Sequence, residues 1–223
     1  MSGSKVKSDE LTVIEPITKA QEKTYEAWDS GENLILTGTA GTGKTYIALY
    51  LALEAMFDKL FEKIIIIRST VAVREIGFLP GKLEDKTEVF KSPYRSICEE
   101  LFGDKAAFNK LTSCHQIQFE TTSFIRGKTF DRAIIIVDEI QNLNFHELDS
   151  VMTRVGENCR VIFCGDHAQS DFQNDGERNG LSKFLNIMYR MKNFTTVQFG
   201  WDDIVRSDIV RDYIMTKEML GIH

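Results

Sequence analysis

The sequence predicts an α/β fold, a mostly parallel sheet with helices on both faces, on three observations. Short runs of β-forming residues alternate with helical patterns, three of those runs are apolar at every position, and a glycine-rich turn joins the first of them to a helix. A strand covered on one face alternates apolar with polar residues, whereas a strand covered on both reads as an unbroken apolar run. Ile64–Ile67, Ala133–Val137 and Val161–Cys164 are of the second kind. Strands separated by helices run parallel, because each crossover returns the chain to the same end of the sheet.

The elements follow in order. Residues 1–15 are mostly polar and are expected to form a flexible amino-terminal segment, leaving 16–223 as one domain. Thr18 and Gln21 fit a capping box that opens a helix ending near Gly31. Strands are expected at Leu34–Thr37, Lys63–Arg68, Ile117–Thr122, Ala133–Val137, Arg160–Cys164 and Phe194–Phe199. Helical patterns cover Lys44–Phe61, a stretch after Gly81, Phe145–Val155, Glu177–Met191 and Ser207–Leu220. No repeat and no Gly/Ser-rich or Pro-rich linker divides the chain.

Composition narrows the class. The chain of 223 residues suits one well-buried core, and 43% hydrophobic with 27% charged residues and 3 prolines is the balance of an ordinary globular protein. The longest apolar stretch, Tyr46 to Phe57, is broken by Glu54 and falls short of the roughly 20 residues that cross a bilayer. The start, MSGSKVKSDE, lacks the apolar centre of a secretory signal, so a cytoplasmic protein is expected. Cys98, Cys114, Cys159 and Cys164 show neither CxxC spacing nor a nearby histidine pair, which points to reduced structural thiols. A net charge of −6 argues against a uniformly basic nucleic-acid binder and leaves room for a local basic groove.

Directly after the first strand stands Gly38-Thr39-Ala40-Gly41-Thr42-Gly43-Lys44-Thr45, the pattern G-x-x-x-x-G-K-[ST] opening a helix. Glycines let the backbone turn its N–H groups around a phosphate, and the helix amino terminus adds positive potential. Lys44 is expected to reach the β- and γ-phosphates and Thr45 to ligate Mg²⁺. Together with the element order, the loop specifies a single RecA-like P-loop NTPase domain.

The strand Ile134–Val137 runs into Asp138-Glu139, the Walker B form. Asp138 at a strand end can hold Mg²⁺, and Glu139 can take a proton from the attacking water, so hydrolysis is expected beyond binding. The runs at Lys63–Arg68 and Ile117–Thr122 leave room for a strand inserted between the two motif strands, an ATPase arrangement that nucleotide kinases usually lack. A third strand ends in Gly165-Asp166-His167-Ala168-Gln169, where Gln169 is the expected γ-phosphate sensor. Arg206 is the first candidate for the arginine that neutralises the departing phosphate, with Arg178 and Arg211 competing. A chain with one core invites a second wall from a neighbouring subunit, hence a homo-oligomer, a ring such as a hexamer. Gln21 is open to two readings, partner of Thr18 in the capping box or reader of adenine N6 and N7.

From Lys63 to Arg95 seven basic residues face four acidic ones, a local +3 in a chain of −6. Arg68, Arg74, Lys82, Lys86, Lys91 and Arg95 are interleaved with Phe78, Phe90 and Tyr94, the mixture that stacks bases and pairs phosphates of a single strand. Arg126 and Lys128, beside Phe124, extend that groove. The alternative is a solvated loop with buried aromatic anchors.

Taken together these residues resemble the PhoH-like family of P-loop ATPases, small relatives of the superfamily 1 helicase core. The resemblance runs from about Pro16 to the carboxyl terminus and rests on the order of its parts. Those are Gly38 to Thr45, Arg68 with Ile76–Gly81, Phe124–Gly127, Val137-Asp138-Glu139 with Gln141-Asn142, Gly165–Gln169, and Val205-Arg206. Arg68-Ser69 stands where the family commonly has Arg-Pro, and Arg74-Glu75 where it has Gly-Glu, a divergence of the kind expected of a phage-type member. The resemblance implies ATP hydrolysis with Mg²⁺ coupled to single-stranded RNA, or DNA, in a helicase-like remodeller. Some members carry an amino-terminal PIN nuclease domain; the residues before Pro16 do not accommodate one, and nuclease activity is not expected of this chain. The alternatives are a nucleotide-dependent regulatory binding module and a small-molecule kinase.

Overall fold

The computed structural model describes residues 6–69, 83–166 and 175–222. Among them one sheet contains β1 (Asn33–Gly38), β2 (Lys63–Arg68), β3 (Ile117–Thr121), β4 (Ala133–Val137), β5 (Arg160–Gly165) and β6 (Phe194–Phe199). Every strand coincides with a run expected to be one. The order is β3-β2-β4-β5-β1-β6, and each neighbouring pair is parallel. Around the sheet lie α1 (Lys19–Asp29), α2 (Lys44–Phe57), α3 (Leu83–Phe102), α4 (Ala107–Ser113), α5 (Phe145–Met152), α6 (Asp175–Met188) and α7 (Asp208–Met219).

Side chains on a strand alternate between faces, and here both faces are buried, which is why the central runs carry no polar residue. Ile64, Ile66, Ile134, Ile136 and Ile162 join one core with Trp28, Leu49, Tyr94, Leu101 and Phe108 from α1 to α4. Ile65, Ile67, Ile135, Val137 and Phe163 join the other with Leu148, Val151, Leu181 and Phe184 from α5 and α6. The helix α2 is apolar nearly all round because its whole length from Ile47 to Leu53 is buried. Val6, Leu11 and Ile14, within the segment expected to be flexible, pack against the first core, and Thr12 N–H donates to Leu101 O at 2.8 Å.

One expectation of sheet order is corrected. The strand between the two motif strands is β5, paired with β1 through Leu34↔Ile162 and with β4 through Ile136↔Ile162. It is neither β2 nor β3, which lie beyond β4. A helical crossover can carry the chain past several strand positions, so position in the chain does not fix position in the sheet. The four unpaired cysteine thiols are as expected, and no helix among the described residues is long and apolar enough to cross a membrane.

Because β4 is buried on both faces, truncating it should open a cavity that neither core can close. Ile135→Ala is expected to lower unfolding free energy by about 2–5 kcal/mol in urea titration; a loss under about 1 kcal/mol would contradict this packing.

Candidate active site

Parallel strands bring their carboxyl ends to one edge, and the functional residues collect there. At the end of β1, Gly38 adopts φ +116°, and a Cβ on it would stand 2.0 Å from Phe199 O of the neighbouring β6. Only glycine fits that approach. Gly41 and Gly43 also have positive φ, and Gly43 caps α2 without any side-chain acceptor. The first turn of α2 thereby keeps its amide donors for an anion. The Lys44 ammonium lies over the loop, donating to Gly38 O at 2.6 Å, Thr39 O at 2.7 Å and Thr42 Oγ1 at 3.3 Å. Burial pulls its pKa below the ordinary lysine value, against the pull of Asp166, Glu139 and Asp138.

Thr45 Oγ1 donates to Asp138 Oδ1 at 3.0 Å, joining the loop to the acid pair. Tyr94 of α3 donates its hydroxyl to the other oxygen, Oδ2, at 2.6 Å. Burial, then Asp138, keeps that phenol well above the usual tyrosine range. Asp138 is 4% exposed and its N–H donates to Ile67 O at 3.0 Å, which ties the end of β4 to β2. Glu139 has left-handed backbone, φ 55°, as do Lys59, His115, Arg132 and Asn158 away from the site. Burial and the adjacent Asp138 push its carboxyl above the ordinary range, while Arg68, 3.6 Å away, and Gln141 pull it back.

Gln141 bridges two strand ends. Its Nε2 donates to Glu139 Oε2 and its Oε1 accepts from Asp166 N–H at 3.0 Å. The bridge needs Gly165, since a Cβ there would lie 2.4 Å from Gln141 Oε1 and 2.8 Å from Ile140 N. Sequence reasoning reaches Gln141 only as a member of a resemblance motif; the signal for its role is a polar residue two positions past an acid pair, opposite a strand-ending Gly-Asp.

Arg206 stands against the chain's own phosphate loop. Val205 N–H donates to Gly41 O at 3.1 Å, and a Cβ on Gly41 would be 3.0 Å from Arg206 Cγ. The loop, the acid pair, Arg68, Asp166 and Arg206 line a cavity of roughly 520 Å³. A second cavity of roughly 360 Å³ adjoins it, lined by Gln21, Gly43, Tyr46, Ile47, Val205 and Arg206 among others. Of the two readings of Gln21, the structure bears on the capping one. Its N–H donates to Thr18 Oγ1 at 3.3 Å, and its Oε1 accepts from Ile17 N–H at 2.9 Å rather than from Thr18. Its Nε2 is 3.7 Å from where a Cβ on Gly43 would stand, so the amide reaches the second cavity.

The nucleic-acid candidates divide. Arg68 was expected on a strand-binding groove; the register Ile67↔Val137 places it beside Glu139 in the phosphate cavity, stacked 5.7 Å over Phe90. Tyr94, expected as a base-stacking aromatic, is fully buried. Arg126 and Lys128 are exposed on the loop after β3, where Lys128 pairs with Glu120 at 2.6 Å and Phe124 is 62% exposed. Arg211 pairs with Asp202 at 3.8 Å. Arg74, Phe78, Lys82 and Gln169 lie outside the described residues.

Comparison with known proteins places this geometry. The fold resembles the large terminase of a thermophilic bacteriophage, with a TM-score of 0.54 and 14% identity over 92% of this chain and 50% of that one. It also resembles the DUF1998 helicase MrfA, solved bound to DNA, with a TM-score of 0.52 and 12% identity over 84% of this chain and 28% of that one. At such identities the likeness is one of fold, the RecA-like α/β core. By sequence, the chain is 30% identical over 202 residues to a PhoH-like protein of Mycobacterium leprae, covering 90% of this chain and 57% of the relative. It is 32% identical over 191 residues to Protein PhoH of Escherichia coli K12, covering 85% and 54%. The chain thus spans little more than half the length of these relatives. The family model described as PhoH-like protein matches residues 13–217, and the chain belongs to that family.

Proposed function

We propose that the chain hydrolyses ATP with Mg²⁺ and couples the reaction to binding or remodelling of single-stranded RNA, as a helicase-like motor. The observation that carries the reading is the 3.0 Å hydrogen bond from Thr45 to Asp138, because it unites a phosphate cradle, a metal-binding hydroxyl and an acid pair in one cavity. The donor set fits the ion. Hydroxyl and carboxylate oxygens are hard ligands, and among the described residues no group of three or more His, Cys, Asp or Glu could hold a metal unaided. Mg²⁺ characteristically binds by one or two protein oxygens plus water and substrate phosphates. Thr45 and Asp138 would hold it, and when bound it supplies charge neutralisation on the phosphate oxygens.

The remaining steps belong to side chains. The loop amides and Lys44 bind the triphosphate. Glu139, whose raised pKa brings it closer to that of a working base, accepts the proton of the attacking water, and Gln141 orients the carboxylate. Arg206 faces the cavity from the same chain and supplies charge to the departing phosphate, while Gln169 is proposed as the γ-phosphate sensor. Gln21 selects the base in the second cavity. A ring such as a hexamer would supply the outer wall, but with Arg206 already on this wall the neighbour need not donate it.

Exposed Phe124 beside Arg126 and Lys128 supports a single-stranded partner, since aromatic faces stack bases and cations meet phosphates. The MrfA structure contains DNA, so both polymers belong in the test. Such a motor would work in the cytoplasm.

Lys44→Ala should reduce phosphate release by at least about 10²-fold. Glu139→Gln should lower kcat by about 10²–10⁴-fold while a fluorescent ATP analogue still binds; turnover at the wild-type rate would refute the base assignment. Phosphate release without any acceptor separates hydrolysis from a kinase. Titrating ATP turnover with single-stranded RNA and with single-stranded DNA should show stimulation, strongest with RNA; no response to either would favour a nucleotide-timed binding module.

A further inference from the structure

Beyond the motif residues, one helix reaches both acids, Asp138 directly and Glu139 through Arg68. Asp138 Oδ1 accepts from Thr45, a motif residue, but Oδ2 accepts from Tyr94 of α3. Tyr94 is 0% exposed and its ring packs edge-on to Phe119 at 5.3 Å. Phenylalanine would serve that packing equally well; what tyrosine adds is the hydroxyl, aimed at the carboxylate. Four residues earlier, on the same face of α3, Phe90 lies 5.7 Å from the guanidinium of Arg68, whose charge is 3.6 Å from Glu139. Residues four apart on a helix move as one body.

We infer that α3 is the positioning element for the acid pair, Tyr94 fixing Asp138 directly and Phe90 fixing Glu139 through Arg68. This rests on the hydrolysis reading and adds to it the residues that set the carboxylates at their working angle. Tyr94 and Phe90 are positioning residues, since neither is required to touch nucleotide. An ionised carboxylate only accepts hydrogen bonds, so with Thr45 on one oxygen and Tyr94 on the other its rotation about χ2 is fixed. Outer partners of this kind typically govern 10–100-fold in metal affinity or activity.

The test uses the full chain, with Mn²⁺ as the probe in the presence of a nonhydrolysable ATP analogue, followed by electron paramagnetic resonance, alongside steady-state ATPase kinetics. Tyr94→Phe should weaken Mn²⁺ binding about 10-fold and lower kcat about 10–100-fold, with KM for ATP changed less than about 3-fold and a thermal melt that remains cooperative. In an Asp138→Asn background the effect of Tyr94→Phe on Mn²⁺ affinity should vanish, because the hydroxyl acts through that carboxylate. Phe90→Leu should lower kcat several-fold and leave Mn²⁺ affinity as in the wild type. Wild-type Mn²⁺ affinity and kcat in Tyr94→Phe, or an equal effect in both backgrounds, would overturn the inference. Should Tyr94→Phe not fold, an unchanged kcat in Phe90→Leu would overturn it by itself. A wild-type protein that binds Mn²⁺ and nucleotide but releases no phosphate would instead sink the parent reading, and the Mn²⁺ comparison would still decide the role of Tyr94.

Discussion

The hydrogen bond from Thr45 to Asp138 joins the first turn of α2, which the loop after β1 leads into, to the end of β4, and β1 and β4 are not neighbours. With β5 between them and a strand spacing of about 4.8 Å, their axes are roughly 10 Å apart. The phosphate loop has to reach past β5 to make the contact. At the end of β5, Gly165 carries no Cβ and so admits Gln141, whose amide ties Glu139 to the Asp166 backbone. Insertion of β5 thus bears on two features at once: the reach of the phosphate loop, and a glycine at the strand end that lets an amide bridge two loops.

A second constraint is electrostatic. Buried Asp138 and Asp166 and the half-exposed Glu139 crowd one edge, and carboxylates withdrawn from water are tolerated only when paired or hydrogen-bonded. Asp138 meets this with two hydroxyl donors, Thr45 and Tyr94. Glu139 receives the guanidinium of Arg68 and the amide of Gln141, yet its carboxyl still lies above the ordinary range. The two acids are consequently unlike. One accepts from two hydroxyl donors, Thr45 and Tyr94; the other, partly desolvated beside it, has its carboxyl raised above the ordinary range. Adjacent residues of nearly the same chemistry acquire different environments from their surroundings.

How much of this the sequence disclosed follows from the range over which each signal acts. Strands were legible because each is a local run, and the central ones carried their double burial in unbroken isoleucine and valine. The phosphate loop was legible because glycine spacing and the helix start lie within eight residues. Strand order was not, since the crossover to β5 is decided by packing across the whole sheet. The length of α3 was hidden by Pro93 in its interior, a residue that ordinarily ends a helix. Tyr94 and Arg68 read by composition as part of a basic, aromatic stretch suited to nucleic acid. Their true surroundings depend on which side of a helix faces the sheet and on the register of β2 with β4, and neither is written locally.

The place of Arg68 bears on how a polymer could influence hydrolysis. Arg68 ends β2 in the phosphate cavity, while Phe124, Arg126 and Lys128 follow the neighbouring edge strand β3, paired with β2 through Arg68↔Thr121. The helix α3 places Tyr94 against Asp138 and, on the same turn, Lys91 6.0 Å from the Phe119 ring of β3. A strand bound along the β3 edge would press on the element that holds the carboxylates without entering the nucleotide cavity. Coupling then requires no long relay. It would require only that one helix, in contact with β3 through Lys91 and with Asp138 through Tyr94, have two positions that differ in how well they hold Asp138 and Glu139.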